Sequence, residues 1–447
     1  MADAKINKAI IAVNRFGLGA KGAELSDAKY DPQRWLLQQL VSPVFNETLA
    51  NTELAFKTIA EMKAIKRRKG EVKGRKIGPD IITPYRHRLS IDSLSLSIKT
   101  NAPFAMRLLD FFSNHFSVSA SNQTLIILSP TLEREAIAPN LFGRFEDMLI
   151  AVEQHPGMLV YLNNEKSVGP NSPVGKRKRG LNENLAREIF ELHTLGVNGN
   201  YTLKDISHLS MAISGWSVTR DNESERAGFK FRFRSHEPGE RNVLGRSYAE
   251  GGVAQGESIL RDLARHRKTA NFVSYKLAQH LIADEPPKEL IYAMTDTWIK
   301  TDGNIKAVVT TLVKHSQSWN NHPQKFKTPR EFVVSACRGI NSSQSLNKDL
   351  LNFALRGISL MGQKPFNARS PAGYSQLNSA WTGSDALMKR IDWVNGLSKK
   401  SRHTHQAIAE RIFDSKLSPL TVKLLAGAES RAQGLAMFLL SPEFQRR

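Results

Sequence analysis

Apolar residues recur at helical spacing along most of the chain, which predicts a mainly α protein. Asp31 before Pro32 marks a helix start, with aspartate as N-cap and proline in the first turn, and PQRWLLQQL continues it. Glu47 to Lys66 reads as the next helix. It runs into KRRKGEVKGRKIGPD, whose glycines and bases predict an exposed loop. A long pattern from Tyr85 to Phe116 breaks near Asn101-Ala102-Pro103, and further helices are expected at 129–138, 140–153 and 156–162. Thr202 and Asp205 have capping-box spacing, with Asp in place of the usual Glu.

One segment departs from the helical period. Phe229, Phe231 and Phe233 alternate with Lys230, Arg232 and Arg234, the two-residue period of a strand. Pro238-Gly239 offers a turn and RNVLG a returning strand, so a small β-hairpin is expected near 228–247. Three helices follow to about His315, interrupted at Pro286-Pro287, and the pattern stays helical from Pro329 to Phe444. The expected organisation is a main unit over 1–325 with a helical part over 326–447 packed on it.

Composition narrows the class. The 447 residues are 40% hydrophobic and 23% charged, which is globular rather than disordered. The net charge of +21 attracts polyanions or acidic partners. Two basic clusters, KRRKGEVKGRK and GKRKRG, carry much of it, but neither fits a helix-turn-helix, RNA-recognition or zinc-finger pattern. The single cysteine, Cys337, excludes an internal disulfide and a cysteine zinc cage. No apolar run is long enough for a transmembrane helix. The run Ala9 to Val13 is too short for a signal core, which leads to an expectation of a cytoplasmic protein.

The densest candidate chemistry is NENLAREIFELHTLG, residues 182–196. On an α-helix of about 100° per residue, Leu181, Leu185 and Leu192 share the core face, with Glu183, Arg187 and Glu191 as one polar stripe. Asn184 borders the stripe, and His193 falls roughly 160° from Glu191. As a plain surface helix this is a set of i, i+4 ion pairs. As a site, Glu188 at the apolar edge is the acid/base candidate, because desolvation raises a carboxyl pKa. Glu191 is then its partner and Arg187 an orienting cation. His115 and His236 are candidate metal ligands beside Glu188 or Glu191. Neutral imidazole with carboxylate suits zinc, iron or manganese, yet the chain has no HExxH, so a divalent metal is not favoured. Lys176, Arg177, Lys178, Arg179 and Arg241 are candidate anion contacts. There is no nucleotide loop and no GxSxG elbow.

Several of these stretches carry a resemblance, in order along nearly the whole chain. They are NRFGLGA, FSNHFSVS, AIAPNLFGRFEDMLIAVEQHPGMLVYLNN, NENLAREIFELHTLGVNGNYTLKDI, HEPGERNVLG, ARHRKTANFVSYKLAQHLI, TDGNIKAVVTTLVKHSQSW and SPAGY. The chain resembles the bacterial DUF1800 proteins, a domain of unknown function. Members often carry Lys where Arg241 stands and Asp where Glu237 stands. The resemblance implies a mostly helical fold, frequent export, and no established activity. Two functional expectations therefore rest on the residues. One is a hydrolase or other acid/base enzyme acting on a polar or anionic substrate in a cleft around 182–196. The other is a non-catalytic basic scaffold or binding module for a polyanion or acidic partner.

Overall fold

The computed structural model describes residues 2–46, 48–49, 51–70, 82–176, 180–219, 227–340 and 346–447. The chain is mainly α, with two small two-stranded antiparallel sheets. The expected caps are made. Asp31 accepts from the Arg34 amide at 3.0 Å, and Thr202 and Asp205 form a reciprocal capping box. The helix Thr52–Gly70 extends through the first bases of the expected loop, and the remainder of that basic stretch, 71–80, lies outside the described residues.

The β structure falls in the expected region but pairs differently. Strand β1 (Trp216–Thr219) takes β2 (Gly228–Phe231) as its partner, with Trp216 opposite Phe231. Trp216 is fully buried and stacks edge-on against Phe229, so the apolar side of β2 is drawn to the upstream strand. The alternating pattern then stops in a 3₁₀ turn, Phe233–Ser235. Strands β3 (Arg241–Val243) and β4 (Arg246–Tyr248) make their own tight hairpin.

Three helices widen into π-turns, at Ala12–Phe16, Glu133–Ile137 and Ile189–His193. A π-turn bonds i to i+5 instead of i to i+4, so each one rotates the residues that follow it. Such turns recur at functional sites.

One continuous set of buried apolar side chains runs from Ala9 to Phe444. Buried guanidiniums tie the part after 325 to the rest. Arg338 grips both oxygens of Glu24 at 2.8 and 2.7 Å and also donates to the carbonyls of Gly19, Ser97, Ile98 and Thr100. Glu331 accepts from Arg107 and Arg447. These charges are sealed from water, so each needs its partner to avoid an uncompensated desolvation cost. No helix among the described residues is long and apolar enough to cross a membrane.

Candidate functional site

The signature stretch is a helix from Asn184 to Glu188 that passes into a π-turn from Ile189 to His193. Asn182 accepts from the Asn184 amide at 2.9 Å. Up to Glu191 the expected stripe is present, with Arg187 3.9 Å from Glu183 and 3.4 Å from Glu191. The angular reading fails at Leu192, expected on the core face, because the π-turn changes the pitch. Phe190 and His193 turn into the core, and Leu192 is left half-exposed. Glu188 and His193, five residues apart, interact electrostatically. Glu188 is half-buried. Burial raises its pKa, His193 and Arg187 pull it down, and Glu191 and Glu153 push it up. Asn184 is exposed.

His193 is held inside. Its Nδ1 lies 2.7 Å from Glu153 Oε1, and its own carbonyl accepts from His115 Nε2 at 3.1 Å. A carbonyl can only accept, so His115 carries its proton on Nε2. Its Nδ1 then accepts from Lys276 Nζ at 3.0 Å. Burial, with Lys276 and His193 adding, holds His115 well below the usual imidazole range, and burial lowers Lys276 to about 8. Both ring nitrogens of His115 are therefore engaged by protein. His236 lies elsewhere, with Nδ1 3.0 Å from the Ser214 carbonyl, and its neighbour Glu237 holds the Asn171 amide at 2.7 Å. Among the described residues no group of three or more His, Cys, Asp or Glu is arranged to hold a metal ion.

Of the anion candidates, Lys176 is exposed, and Arg177, Lys178 and Arg179 lie outside the described residues. Arg241 is buried and donates to the carbonyls of Glu237, Pro238 and Glu240 at 2.6 to 2.9 Å, so it clamps its own turn.

The most site-like arrangement lies on the other side of Phe116. That ring packs edge-on against His193 and lines a pocket of about 120 Å³ that opens to solvent. The pocket walls come from the helices Ile82–Lys99, Pro103–His115, Arg267–Leu281 and Pro329–Ile340, the π-turn Glu133–Ile137, and the loop 362–376. Two carboxyls face it. Glu133 is buried at the start of the π-turn, 2.8 Å from Ser113 Oγ, and makes no ion pair among the described residues. Asp110 accepts from Arg330 Nε at 3.0 Å. Burial raises both carboxyls against the opposing pull of Arg330.

His280 also lines the pocket. Its Nδ1 donates to Gln376 Oε1 at 2.7 Å, which leaves the lone pair on Nε2, and that buried nitrogen meets no protein partner among the described residues. Burial, with Arg447 adding, lowers His280 to about 3, so it is a neutral acceptor near neutral pH. The loop is fixed by Asn114, whose amide exchanges hydrogen bonds with the Tyr374 backbone at 2.9 and 2.7 Å. A Cβ on Gly373 would stand 2.4 Å from the Asn114 carbonyl oxygen, and its φ is +77°, so glycine is required there.

Sequence reasoning missed Asp110, Glu133, His280 and Arg330. They are scattered along the chain, and each sits in an ordinary helical pattern. A signal was present all the same. FSNHFSVS holds Ser113 and Asn114, ARHRKTANFVSYKLAQHLI holds His280, and SPAGY holds Gly373 and Tyr374, so three of the singled-out stretches converge on this pocket.

Residues 11–446 match the family described as "Protein of unknown function (DUF1800)". The chain belongs to that family, as its motifs led one to expect. No curated protein matches it, and no solved structure does.

Proposed function

We propose that this DUF1800 protein is an acid/base enzyme, with hydrolysis the best-fitting reaction, and that it works in the pocket behind Phe116. The observation that carries this is a pair of carboxyls in one cavity, Glu133 without an ion pair and Asp110 held by Arg330. Their surroundings differ in the way acid and base need. Glu133, buried and raised, holds its proton and is the general acid. Asp110 is raised too, but it has the cationic partner that Glu133 lacks among the described residues, Arg330 at 3.0 Å, and it is assigned as the base for an incoming water. Ser113 orients Glu133, and His280 Nε2 accepts from a substrate hydroxyl or amide.

The test is turnover against chromogenic esters, amides, glycosides and phosphomonoesters. Glu133→Gln is expected to lower any activity found by on the order of 10²–10⁴. Glu188→Gln is the control, because the raised carboxyl of Glu188 supports a second reading with the acid on the signature helix and Glu191 beside it. Loss in Glu188→Gln with Glu133→Gln unaffected would move the site there.

The net charge of +21 and the exposed Lys176 support a further role as a binding surface for an acidic partner. Neutralising Lys176, Arg177, Lys178 and Arg179 together would then weaken heparin retention and flatten its salt dependence. Unchanged retention would remove that role from this loop.

A further inference from the structure

We propose that the pocket takes a neutral, polyhydroxylated ligand, a segment of a glycan, and that the reaction is cleavage of a glycosidic C–O bond. The reaction rests on the acid/base reading above. The ligand class stands on separate observations.

The first is charge. Asp110, Glu133 and Glu331 line the pocket, and three guanidiniums answer them: Arg330 in the wall, with Arg107 and Arg447 behind Glu331. Every one of these guanidiniums is already committed. Arg330 holds Asp110 and Ser97 Oγ. Arg107 holds Glu331 and the Gly17 carbonyl. Arg447 holds Glu331 and the carbonyls of His280 and Leu281. The lining includes no lysine. A phosphate, sulfate or carboxylate would find the one lining cation, Arg330, already neutralised by Asp110, and would face Glu133. A cationic ligand would find Asp110 and Glu331 already neutralised, and Glu133 raised towards its neutral form. A neutral ligand avoids both penalties.

The second is hydrogen-bonding chemistry. Among the described residues no protein group uses the lone pair of buried His280 Nε2, which calls for a ligand donor such as a hydroxyl. Ser117 and Asn367 add groups that both donate and accept, which suits hydroxyls of either sense.

The third is the apolar component. Phe366 is a non-glycine residue at φ +52°, a left-handed conformation that costs energy and is held by its carbonyl accepting from the Ala120 amide at 2.8 Å. Its partly exposed ring lines the pocket, as does that of Tyr374. Aromatic faces are electron-rich, so they attract the polarised C–H groups of a sugar ring while the edge groups bond its hydroxyls.

On such a ligand the step balances simply. The glycosidic C–O bond breaks as Glu133 gives its proton to the leaving oxygen. A water oxygen forms the new bond to the anomeric carbon and passes a proton to Asp110. One water is consumed, two hydroxyl ends are produced, and nothing is oxidised or reduced.

The experiment is binding of the full chain to an array carrying neutral hexose, pentose and N-acetylhexosamine oligosaccharides beside sulfated and uronate-bearing chains. Hits are followed by titration calorimetry with the wild type, Phe366→Ala and Glu133→Gln. The expected result is binding of a neutral oligosaccharide that is insensitive to salt. Phe366→Ala is expected to weaken it by about tenfold or more, while Glu133→Gln keeps it and abolishes its cleavage. Salt-sensitive binding confined to the acidic chains, or no oligosaccharide binding, overturns the ligand class. Two outcomes separate this proposal from the one it rests on. Ester or amide turnover lost in Glu133→Gln without glycan binding retains the acid/base site and sinks the glycan. Glycan binding weakened by Phe366→Ala without any cleavage retains the ligand and sinks the reaction.

Discussion

His193 Nδ1 lies 2.7 Å from Glu153 Oε1, and both side chains are sealed from solvent. The signature helix is therefore anchored through its histidine, while its Glu–Arg stripe faces outward. Removing Glu153 strands a buried imidazole N–H, whereas removing Glu191 breaks a partly exposed i, i+4 pair. Glu153→Ala is expected to cost about 3–5 kcal/mol in urea unfolding. Glu191→Ala is expected to cost under about 0.5 kcal/mol. Equal losses would contradict this division of the helix.

Glu133 gives a pH signature. Its pKa is raised on folding, so the folded state holds the proton more tightly than the unfolded one. For a raised acid, stability is full below the unfolded pKa and declines as pH rises through that value towards the folded one. Asp110 shifts in the same direction and adds to the decline. Glutamine cannot ionise. Thermal melts of Glu133→Gln are expected to match the wild type at about pH 4 and to exceed it near pH 7. A variant less stable than the wild type at neutral pH would show that the carboxylate stabilises the fold.

Gly373 sets the closeness of the pocket loop to Asn114. Gly373→Ala would force its Cβ to within 2.4 Å of a backbone oxygen at a φ of +77°. The expected cost is about 1–3 kcal/mol, with increased proteolytic cleavage within 362–376. A variant as stable and as protease-resistant as the wild type would show that the loop has room to move.

Local features were legible because local rules govern them. The Asp31 cap, the Thr202–Asp205 capping box and the Arg187–Glu191 pair all follow from short-range spacing. The π-turns were not legible. Nothing in IFELH forbids an ordinary α-turn, and the i→i+5 geometry is fixed by burying Phe190 and His193 together. That single change misplaced Leu192, which the angular reading put on the core face and the structure leaves half-exposed. The partner of β2 was hidden too, because RNVLG and the segment at Trp216 are both plausible strands and burial of Trp216 decides between them. The pocket escaped for a stronger reason. Asp110 and Arg330 are 220 residues apart, and no spacing rule links them before the helices pack.

The most direct test of the account is the protonation state of Glu133, read by infrared difference spectroscopy of the wild type against Glu133→Gln across pH. The account predicts a protonated-carboxyl C=O band that persists at a pH above the ordinary glutamate pKa and is missing in Glu133→Gln. A difference spectrum that shows only carboxylate at that pH would contradict the assignment of Glu133 as a buried general acid.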